Sequence, residues 1–483
     1  MSELSSPVAE QDAAIQSLGV ASAAAAIRNG ELTSEAYTGS LLRRAKEKSN
    51  LQAFITIDED AALSAARDAD KARSAGINTP LLGVPLGVKD SYLTKGLRTT
   101  LGISNLEQFV PGHDAEIVGQ LRDAGAVIFG KNNLVEMSFG LTGDNGAYGA
   151  AKNPYNLDHV SGGSSSGSAA AVGGGIVPAA LGGDTVGSIR VPASLCGVVG
   201  YKPTTGRWPG AGVAPIAHSL DTTGLLARSV EDCALLDAIV TRSATPEAET
   251  SSDMRGIRLA YAPRQFLELV DAEVEAQFRD NIARLRDAGA EIVEVDLGDD
   301  FLALTDGTTW PIFFHETIGA ISAFLETNKI PLTFTEIHAR LKTQLRDTWS
   351  SVVVPGGPGA ISTETYEQAL TKGRAAIRER FDIAFKKHGA QALLLPATPC
   401  PAPRIDSQWA FSIAGQDVSD LILAKHTVPA SGAGLPGISI PAGLTRAGLP
   451  IGLEIDGPLD RDRELLDIAR RAEAVLGPLS PPR

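Results

Sequence analysis

The residues best suited to chemistry lie in one serine- and glycine-rich stretch, which runs from Ser161 to Thr204. It opens as SGGSSSGS, continues into an alanine-rich segment and contains a second glycine-bearing turn, DTVGSIR, which includes Ser188. A serine hydroxyl is a weak nucleophile until a base takes its proton, and backbone N–H groups at the start of a helix can hold an anion. The stretch itself leaves open which group would activate such a serine.

Three interpretations of the loop at 161–167 follow from the residues alone. A loop rich in Gly and Ser can simply allow a tight connection between two elements. A phosphate-binding loop is the second, but no Gly-Lys-Ser/Thr follows, so the Walker pattern fails. The third is the nucleophile elbow of esterases, because GSSSG fits G-x-S-x-G. That elbow requires a strand directly before it, whereas the preceding NPYNLDHVSG is typical of turns.

Together with segments elsewhere, the stretch resembles the signature of the amidase signature family of serine hydrolases. The family pattern is a GGSSGGS loop, an alanine-rich helix, DTGGSIR and CGVVGLKPT, and this chain has GGSSSGS, GGDTVGSIR and CGVVGYKPT. The upstream GVPLGVKD resembles the family's lysine-bearing strand, and GLPGISIPAG and GLPIGLEIDG resemble its closing segment. The resemblance extends from about residue 30 to 460. It implies an amidase that hydrolyses a carboxamide through an acyl-enzyme.

The resemblance assigns a Ser-cisSer-Lys triad to three residues. Ser188 corresponds to the acylated nucleophile, Ser164 to the serine with the cis peptide bond, and Lys89 to the general base. A lysine can be a base only when neutral, which burial can achieve by lowering its pKa. A serine between lysine and nucleophile can donate and accept at once and so relay the proton. The oxyanion hole corresponds to the backbone N–H groups of Thr185, Val186, Gly187 and Ser188.

Neighbouring residues are interpreted as holding this site rather than reacting. Asp184 and Arg190 flank the second turn with opposite charges, and we expect them to form a structural ion pair. Ser166 and Val186 stand where the family usually has glycines, and Ser431 stands where it often has asparagine. None of these departures removes the triad. We expect the Val186 side chain to lie beside the pocket and narrow it.

Substrate-binding residues are less well defined by the sequence. Candidates are Met137, Gly163 and His218, of which His218 is more readily interpreted as structural than catalytic. We expect the pocket walls to come from residues 135–145, 207–218 and 305–320. The aromatic-bearing segment 299–365 is expected to shape one wall, with Trp310, Phe313 and Phe314.

The elements that position these residues follow an α/β pattern. Residues 10–75 are predicted to be mostly helical, with Thr33 capping a helix that starts at Ser34. The apolar run LLGVPLGVKD predicts a buried strand ending near Lys89. Three units, LRDAGAVIFG, LRDAGAEIVEV and FKKHGAQALLLPAT, each predict a helix, a glycine stop and a strand. This order indicates helices packed on a sheet.

The resulting fold prediction is an α/β protein with a large mixed central β-sheet flanked by helices on both faces. The whole chain, 1–483, is interpreted as a single amidase domain on which an N-terminal helical segment, 1–75, packs. The polar break at 241–256 is interpreted as a surface loop, because a strand-like IRLAYAP follows it at once.

Composition narrows the choice of partners. There are 43 Lys and Arg against 57 Asp and Glu, a formal net charge of −14, which argues against nucleic acid or an anionic membrane. Hydrophobic residues make up 43% and charged residues 21%, as is typical of globular proteins. Neither a signal peptide nor a membrane span is evident, so a cytoplasmic location is expected. The cysteines predict neither a disulfide framework nor a zinc site, and Cys196 is interpreted as a packing residue.

The sequence thus predicts an enzyme that needs no metal and no cofactor and acts on a small-molecule amide, with a homodimer as a candidate assembly. The run TTGRWPGAGVAPIAHSLDTTGLLARS resembles indoleacetamide- and mandelamide-type hydrolases, which favours an aryl or arylalkyl amide. Anilides, esters and carbamates are further substrates of related enzymes. Two alternatives stay open: the glutaminase subunit of a tRNA-dependent amidotransferase, and a binding protein without activity.

Overall fold

A computed structural model describes residues 12, 14–244 and 251–482 of the chain. Parts of two predicted segments therefore lie outside the described residues, namely 1–11 and 13 of the N-terminal segment and 245–250 of the loop at 241–256. The described parts of that loop form no helix or strand, and Met254 within it is fully buried.

Thirteen strands are present in the described part of the chain. In chain order they are β1 (Phe54–Thr56), β2 (Pro85–Lys89), β3 (Val127–Asn132), β4 (Ala179–Asp184), β5 (Val199–Lys202), β6 (Thr222–Ala227), β7 (Arg258–Tyr261), β8 (Glu291–Glu294), β9 (Ala392–Pro396), β10 (Ala410–Ile413), β11 (Gln416–Ser419), β12 (Gly437–Leu444) and β13 (Pro450–Asp456). Strands β10 and β11 form a separate hairpin.

The other strands form one eleven-stranded sheet in the order β1-β3-β2-β4-β6-β5-β12-β13-β9-β7-β8. Strand β2 lies parallel to both β3 and β4, and β7 lies parallel to both β8 and β9. The strands between these two groups pair antiparallel. The sheet is therefore mixed, as predicted.

Sixteen α-helices of the described residues accompany the sheet. They are α1 (Val20–Asn29), α2 (Ser34–Glu47), α3 (Glu59–Ser74), α4 (Glu116–Asp123), α5 (Ser166–Gly173), α6 (Arg190–Cys196), α7 (Val230–Val240), α8 (Pro263–Phe266), α9 (Ala272–Asp287), α10 (Phe301–Thr327), α11 (Phe334–Arg340), α12 (Thr343–Val352), α13 (Thr363–Gln368), α14 (Arg374–Asp382), α15 (Val428–Ala433) and α16 (Asp462–Leu476).

Side chains of β9 show that helices cover both faces of the sheet. Leu394 belongs to an apolar cluster that includes residues of α1, α2, α9 and α16. Leu393 and Leu395 belong to another cluster, with residues of α10, α14 and α15. Because successive side chains of a strand point to opposite faces, the two clusters lie on opposite sides of the sheet. The predicted α/β fold class is confirmed.

All three predicted helix–glycine–strand units are present. Gly125, Gly289 and Gly389 have φ angles of +96°, +109° and +66°, in the region that favours glycine. Each follows a helical segment and precedes a strand, which is β3, β8 or β9 respectively. Glycine therefore ends each helical segment where the sequence predicts it.

The N-terminal segment is helical apart from one strand. Thr33 caps α2 as predicted, because its side chain accepts a hydrogen bond from the Ala36 N–H. The segment is mostly helical, as predicted, but it also contains a strand that was not predicted, at Phe54–Thr56, where β1 pairs antiparallel with β3. An aromatic and two β-branched residues favour this extended conformation. In the described residues, no helix combines the length and the apolar character needed to cross a membrane.

Candidate active site

Lys89 is the last residue of β2, and the sheet buries it. Its side chain is nearly inaccessible, and Nζ donates a hydrogen bond of 2.8 Å to Ser164 Oγ. The strand lies between β3 and β4, so the lysine emerges at the edge of the sheet where three parallel strands end. The structure thus brings together two of the three residues that the family resemblance selects.

Burial changes the acid–base behaviour of this lysine. Loss of hydration disfavours the ammonium form and lowers the pKa of Lys89 to about 7, although the carboxylates of Asp221 and Asp184 oppose that shift. Since a solvated lysine titrates near 10.4, a substantial fraction of Lys89 is neutral at neutral pH. A neutral amine beside a hydroxyl can accept its proton.

Ser164 lies in a loop whose two preceding positions require glycine. The Gly163–Ser164 peptide bond is cis, as the family resemblance implies. Gly162 has a φ of +79°, and a Cβ there would lie 2.8 Å from Pro192 Cα. A Cβ on Gly163 would lie 2.9 Å from the carbonyl oxygen of Gly140. Gly162 therefore lets the loop pass close to α6, and Gly163 lets it pass close to the backbone at Gly140, on the way to Ser164.

Ser188 lies in the turn between β4 and α6 and is buried. The Ser188 carbonyl accepts a 3.1 Å hydrogen bond from the Ser165 N–H, which joins the two serine-bearing loops side by side. The structure records no hydrogen bond of Ser188 Oγ to any described residue. The two loops are therefore neighbours, and Ser188 Oγ has no protein partner among the described residues, but Ser188 itself is not among the residues that line the adjacent cavity.

Asp184 and Arg190 form the predicted ion pair. Arg190 Nε lies 3.0 Å from Asp184 Oδ2, and both side chains are fully buried. Burial opposes ionisation of Asp184, but the guanidinium outweighs it and holds the pKa of the carboxyl below its usual value. The carboxylate also accepts hydrogen bonds from the N–H groups of Gly187 and Ile189, at 2.7 and 3.2 Å. The pair therefore fixes the backbone of the turn that carries Ser188.

The same contacts bear on the four N–H groups predicted to form the oxyanion hole. The Gly187 N–H already donates to Asp184, so it is not free to meet an oxyanion. The N–H groups of Thr185, Val186 and Ser188 have no acceptor among the described residues. Of these three residues, Thr185 lines the cavity beside the turn, whereas Val186 and Ser188 do not.

The Val186 side chain does not narrow the pocket, so that prediction is wrong. It is 3% exposed and packs in an apolar cluster with residues such as Leu141 and Leu423. Its carbonyl accepts a 2.6 Å hydrogen bond from Thr427 Oγ1, which fixes the backbone. The positive φ of the turn, +139°, falls on Gly187. The valine is therefore a packing residue.

A cavity of about 330 Å³ opens beside the Lys89–Ser164 pair, and Thr185 is also part of its lining. Two of the three predicted wall segments contribute to it. Segment 135–145 supplies Ser138, and segment 207–218 supplies several residues: Trp208, Gly210, Val213, Ala214, Pro215, Ile216 and His218. The third segment, 305–320, lines an adjacent groove instead.

Other predicted pocket residues lie elsewhere. Met137 is buried in an apolar cluster with Leu101 and Trp349, and neither it nor Gly163 lines the cavity. The three predicted aromatic wall residues, Trp310, Phe313 and Phe314, pack against one another in edge-to-face and stacked contacts. Phe313 and Phe314 also pack against Phe139. Their mutual packing removes them from the cavity surface, so the predicted aromatic wall is wrong.

His218 does line the cavity, at its mouth. Its side chain is 68% exposed, and Nδ1 lies 3.1 Å from Glu316 Oε2. No hydrogen bond connects it with Ser164 or Ser188 in the described part of the chain. The histidine is therefore held by a carboxylate at the rim and does not form a Ser-His pair.

Comparison with known proteins places this geometry in a family. The family model described as Amidase matches residues 36–466. The chain belongs to the amidase family. Amidases of this family are hydrolases that cleave C–N bonds of amides, so this protein is an amide hydrolase. The predicted family membership and enzyme class are confirmed.

Relatives of this amidase include enzymes with different named substrates. It is 35% identical to a mandelamide hydrolase of Pseudomonas putida, over 95% of this chain and 92% of the relative. It is 36% identical to a glutamyl-tRNA(Gln) amidotransferase subunit of a Roseiflexus species, over 95% and 97% respectively. The native peptide amidase of Stenotrophomonas maltophilia has a TM-score of 0.79 at 29% identity, over 97% of this chain and 98% of that one.

One residue of the amidase cavity, Asp221, was not predicted from the sequence. It lies just before β6, is half-buried and faces the cavity. Its carboxylate accepts hydrogen bonds from Thr185 Oγ1 at 2.7 Å and from the N–H groups of Ile216 and Ala217. Burial raises the pKa of Asp221 to about 6. The available signal was an acidic residue directly before the apolar run TTGLLA, which is too common to single out.

Proposed function

We propose that this amidase hydrolyses a small aryl or arylalkyl carboxamide through an acyl-enzyme on Ser188, with Lys89 as base and Ser164 as proton relay. The observation that carries the proposal is the buried 2.8 Å hydrogen bond between Lys89 Nζ and Ser164 Oγ, next to the Ser188 turn and open to the cavity. The lowered pKa of Lys89 supports its role as a base.

In the acylation step, neutral Lys89 accepts the Ser164 proton while Ser164 accepts the proton of Ser188. The Ser188 oxygen then bonds to the carbonyl carbon of the amide, and the carbonyl oxygen becomes an oxyanion. The free N–H groups of Thr185, Val186 and Ser188 can donate to it, and removal of one such donor typically costs about 3 kcal/mol. The Lys89 proton returns through Ser164 to the amide nitrogen, and the C–N bond breaks.

In the deacylation step, water replaces the departed ammonia or amine. Lys89 takes a proton from the water through Ser164, and the hydroxide oxygen attacks the carbonyl carbon of the ester on Ser188. The ester C–O bond then breaks, the Ser188 oxygen recovers a proton by the same relay, and the carboxylic acid leaves. The same two groups therefore act as base and acid in turn.

The lining of the cavity supports an aryl substrate. Tyr92, Trp208, Val213, Pro215 and Ile216 offer it aromatic or aliphatic surface. Its volume of about 330 Å³ lies at the small end of ligand pockets. The relation to a mandelamide hydrolase supports the same substrate class.

A second candidate, glutamine, is favoured by the equal similarity to the amidotransferase relative. Glutamine carries a carboxylate, which proteins usually bind with arginine or a charged lysine. Among the described residues that line the cavity, arginine is absent and the single lysine is Lys89. Since the mechanism requires Lys89 to be neutral, the lining supports the aryl amide over glutamine.

The proposed substrate class can be tested by measuring ammonia release from mandelamide, phenylacetamide and glutamine with the purified chain. We expect kcat/KM for the aryl amides to exceed that for glutamine by about 100-fold or more, because a buried carboxylate without a partner is costly. The Ser188→Ala variant controls for contaminating amidases. Preference for glutamine, or no hydrolysis of either aryl amide, would refute the proposal.

The role of Lys89 predicts a particular pH dependence. The base must be neutral, so kcat/KM should fall as pH drops below about 7, the pKa of Lys89. Asp184 and Asp221 are the charged groups that raise this pKa, while Lys131 on the neighbouring β3 is paired with Asp90 at 3.3 Å. Asp221→Asn removes a negative charge that stabilises the ammonium form of Lys89, so the pKa of Lys89 should fall. The acid limb of the kcat/KM profile should therefore move to lower pH by about one unit.

Thr185→Val provides the matched control for Asp221→Asn. It removes the 2.7 Å hydrogen bond from Thr185 Oγ1 but leaves an ionisable carboxylate, so its acid limb should move less than that of Asp221→Asn. Some movement is expected because this hydrogen bond lowers the pKa of Asp221. The measurement is kcat/KM on one aryl amide across pH for both variants. An acid limb that moves equally in both variants, or in neither, would contradict the assignment of that limb to Lys89.

A further inference from the structure

A wider groove of about 890 Å³ continues outward from the active-site cavity. The cavity and the groove share four lining residues, which form their common rim: Gly210, Val213, Pro215 and His218. A molecule that extends beyond the cavity would therefore enter this outer groove. The active site is thus one end of a longer binding surface.

The outer groove has an apolar floor and an aromatic side. Helix α10 supplies the floor through Gly319, Ala320, Ala323 and Phe324. On one side the rings of His315 and Tyr366 stack with centroids 4.2 Å apart and planes within 7° of parallel. Such a surface suits an aliphatic or aromatic group, which gains free energy in proportion to the apolar area that it buries.

The junction between cavity and groove is held in place by Glu316. This buried carboxylate accepts hydrogen bonds from the Ser219 N–H at 2.9 Å, the Ser219 hydroxyl at 2.6 Å and the Tyr366 hydroxyl at 2.9 Å. Its fourth contact is His218, whose Nδ1 lies 3.1 Å from Glu316 Oε2. One carboxylate therefore links the cavity mouth to the aromatic side of the groove, so the surface exists before a ligand binds.

The charges of the groove are acidic. Asp114, Glu116 and Glu316 line it, and no lysine or arginine is among its described lining residues. Arg122, 3.1 Å from Asp114, lies outside that lining. An anionic group would therefore meet like charge, whereas an uncharged or cationic group would not.

We infer that the outer groove binds the distal arm of an extended amide, a largely apolar arm that is uncharged or cationic at its end, while the reacting carboxamide occupies the cavity. This inference rests on the proposed function, which it extends from a small amide to an amide with a longer acyl or amine portion. It also assigns specificity to α10, a helix that contributes nothing to the cavity itself.

Two glycines on α10 provide a matched test. Both glycines are exposed, and a Cβ added at Gly319 or at Gly307 would meet no atom within 4 Å, so a side chain at either position starts in open space. Gly319 lines the groove and Gly307 does not. Gly319→Phe should lower the ratio of kcat/KM for 4-phenylphenylacetamide to that for phenylacetamide by about 10-fold or more, and Gly307→Phe should leave this ratio unchanged. N-benzylphenylacetamide tests the amine side in the same way.

Binding to Ser188→Ala proteins tests the groove without turnover. Calorimetry should show that Gly319→Phe in this background weakens binding of at least one of the two lengthened amides about 10-fold, with no such effect of Gly307→Phe. Equal effects of the two substitutions, or none, would overturn the inference even if amides are hydrolysed. If the wild type hydrolyses no amide, the proposed function fails. The binding measurement then tests by itself whether the groove holds the distal arm.

The charge of the arm gives a second readout. Phenylacetamides with a para aminomethyl or a para carboxymethyl group differ mainly in the charge at the end of the arm. We expect the cationic compound to bind at least several-fold more tightly, and the difference to shrink at high salt. Tighter binding of the anionic compound would overturn the predicted electrostatic preference.

Discussion

Replacement of Ser188 by alanine is expected to lower kcat/KM for an aryl amide by on the order of 10⁴-fold or more. Without the hydroxyl no acyl-enzyme can form, and loss of a serine nucleophile typically costs this much even when the oxyanion donors stay in place. The fold should be unaffected, because Ser188 Oγ makes no hydrogen bond to any described residue. Ammonia release and a thermal melt on the same preparation measure both quantities.

Ser166 provides the control for that substitution. It is a buried serine of the neighbouring loop, and its hydroxyl also has no hydrogen-bond partner among the described residues. Ser166→Ala should therefore keep kcat/KM within a few-fold of the wild type. Mass spectrometry of wild-type protein quenched during turnover should find the acyl group on the peptide that contains Ser188. More than a tenth of wild-type activity in Ser188→Ala would refute its role as nucleophile.

Local patterns in the sequence were enough to locate the elements that hold the site. The glycines that follow three helical segments correctly predicted where those segments end. The apolar run before Lys89 correctly predicted β2. Both signals depend on residues a few positions apart, such as the positive φ at Gly125. The family resemblance then selected Lys89, Ser164 and Ser188, and the structure brings the three into one region although 75 residues separate the first two.

What the sequence could not provide depends on residues that are distant along the chain. Val186 is buried against apolar residues such as Leu423, and its carbonyl accepts a hydrogen bond from Thr427, which lies 241 positions away. The contact that removes Gly187 from the oxyanion hole is local by contrast, because Asp184, three positions away, accepts its N–H, and no periodicity reveals such a contact. The outer groove likewise needs residue 113 and Tyr366 on one surface. Residues so far apart in the chain come together only because of the order of the strands in the sheet.

Replacement of Lys89 by methionine is expected to lower kcat/KM by about 10³-fold or more at every pH, because the relay then has no base. Lys89→Arg should not restore activity, since a guanidinium stays protonated at any workable pH. The alternative, a histidine base, predicts instead that the Lys89 variants stay active and that His218→Ala loses activity. The position of His218, at the cavity rim and bonded to Glu316, argues against that alternative. Steady-state rates of all three variants on one aryl amide decide between the two bases.

Stability gives an independent measure of the buried lysine. In the unfolded chain Lys89 would hold its proton up to about pH 10.4, whereas in the folded protein its pKa is about 7. Between these values the unfolded state binds more protons, so this residue makes the free energy of unfolding rise with pH. Methionine removes that contribution, and the stability of Lys89→Met relative to the wild type should therefore increase as pH falls from 10 to 7. Urea unfolding at several pH values measures it. A constant difference would mean that Lys89 stays charged in the folded protein and is not the base.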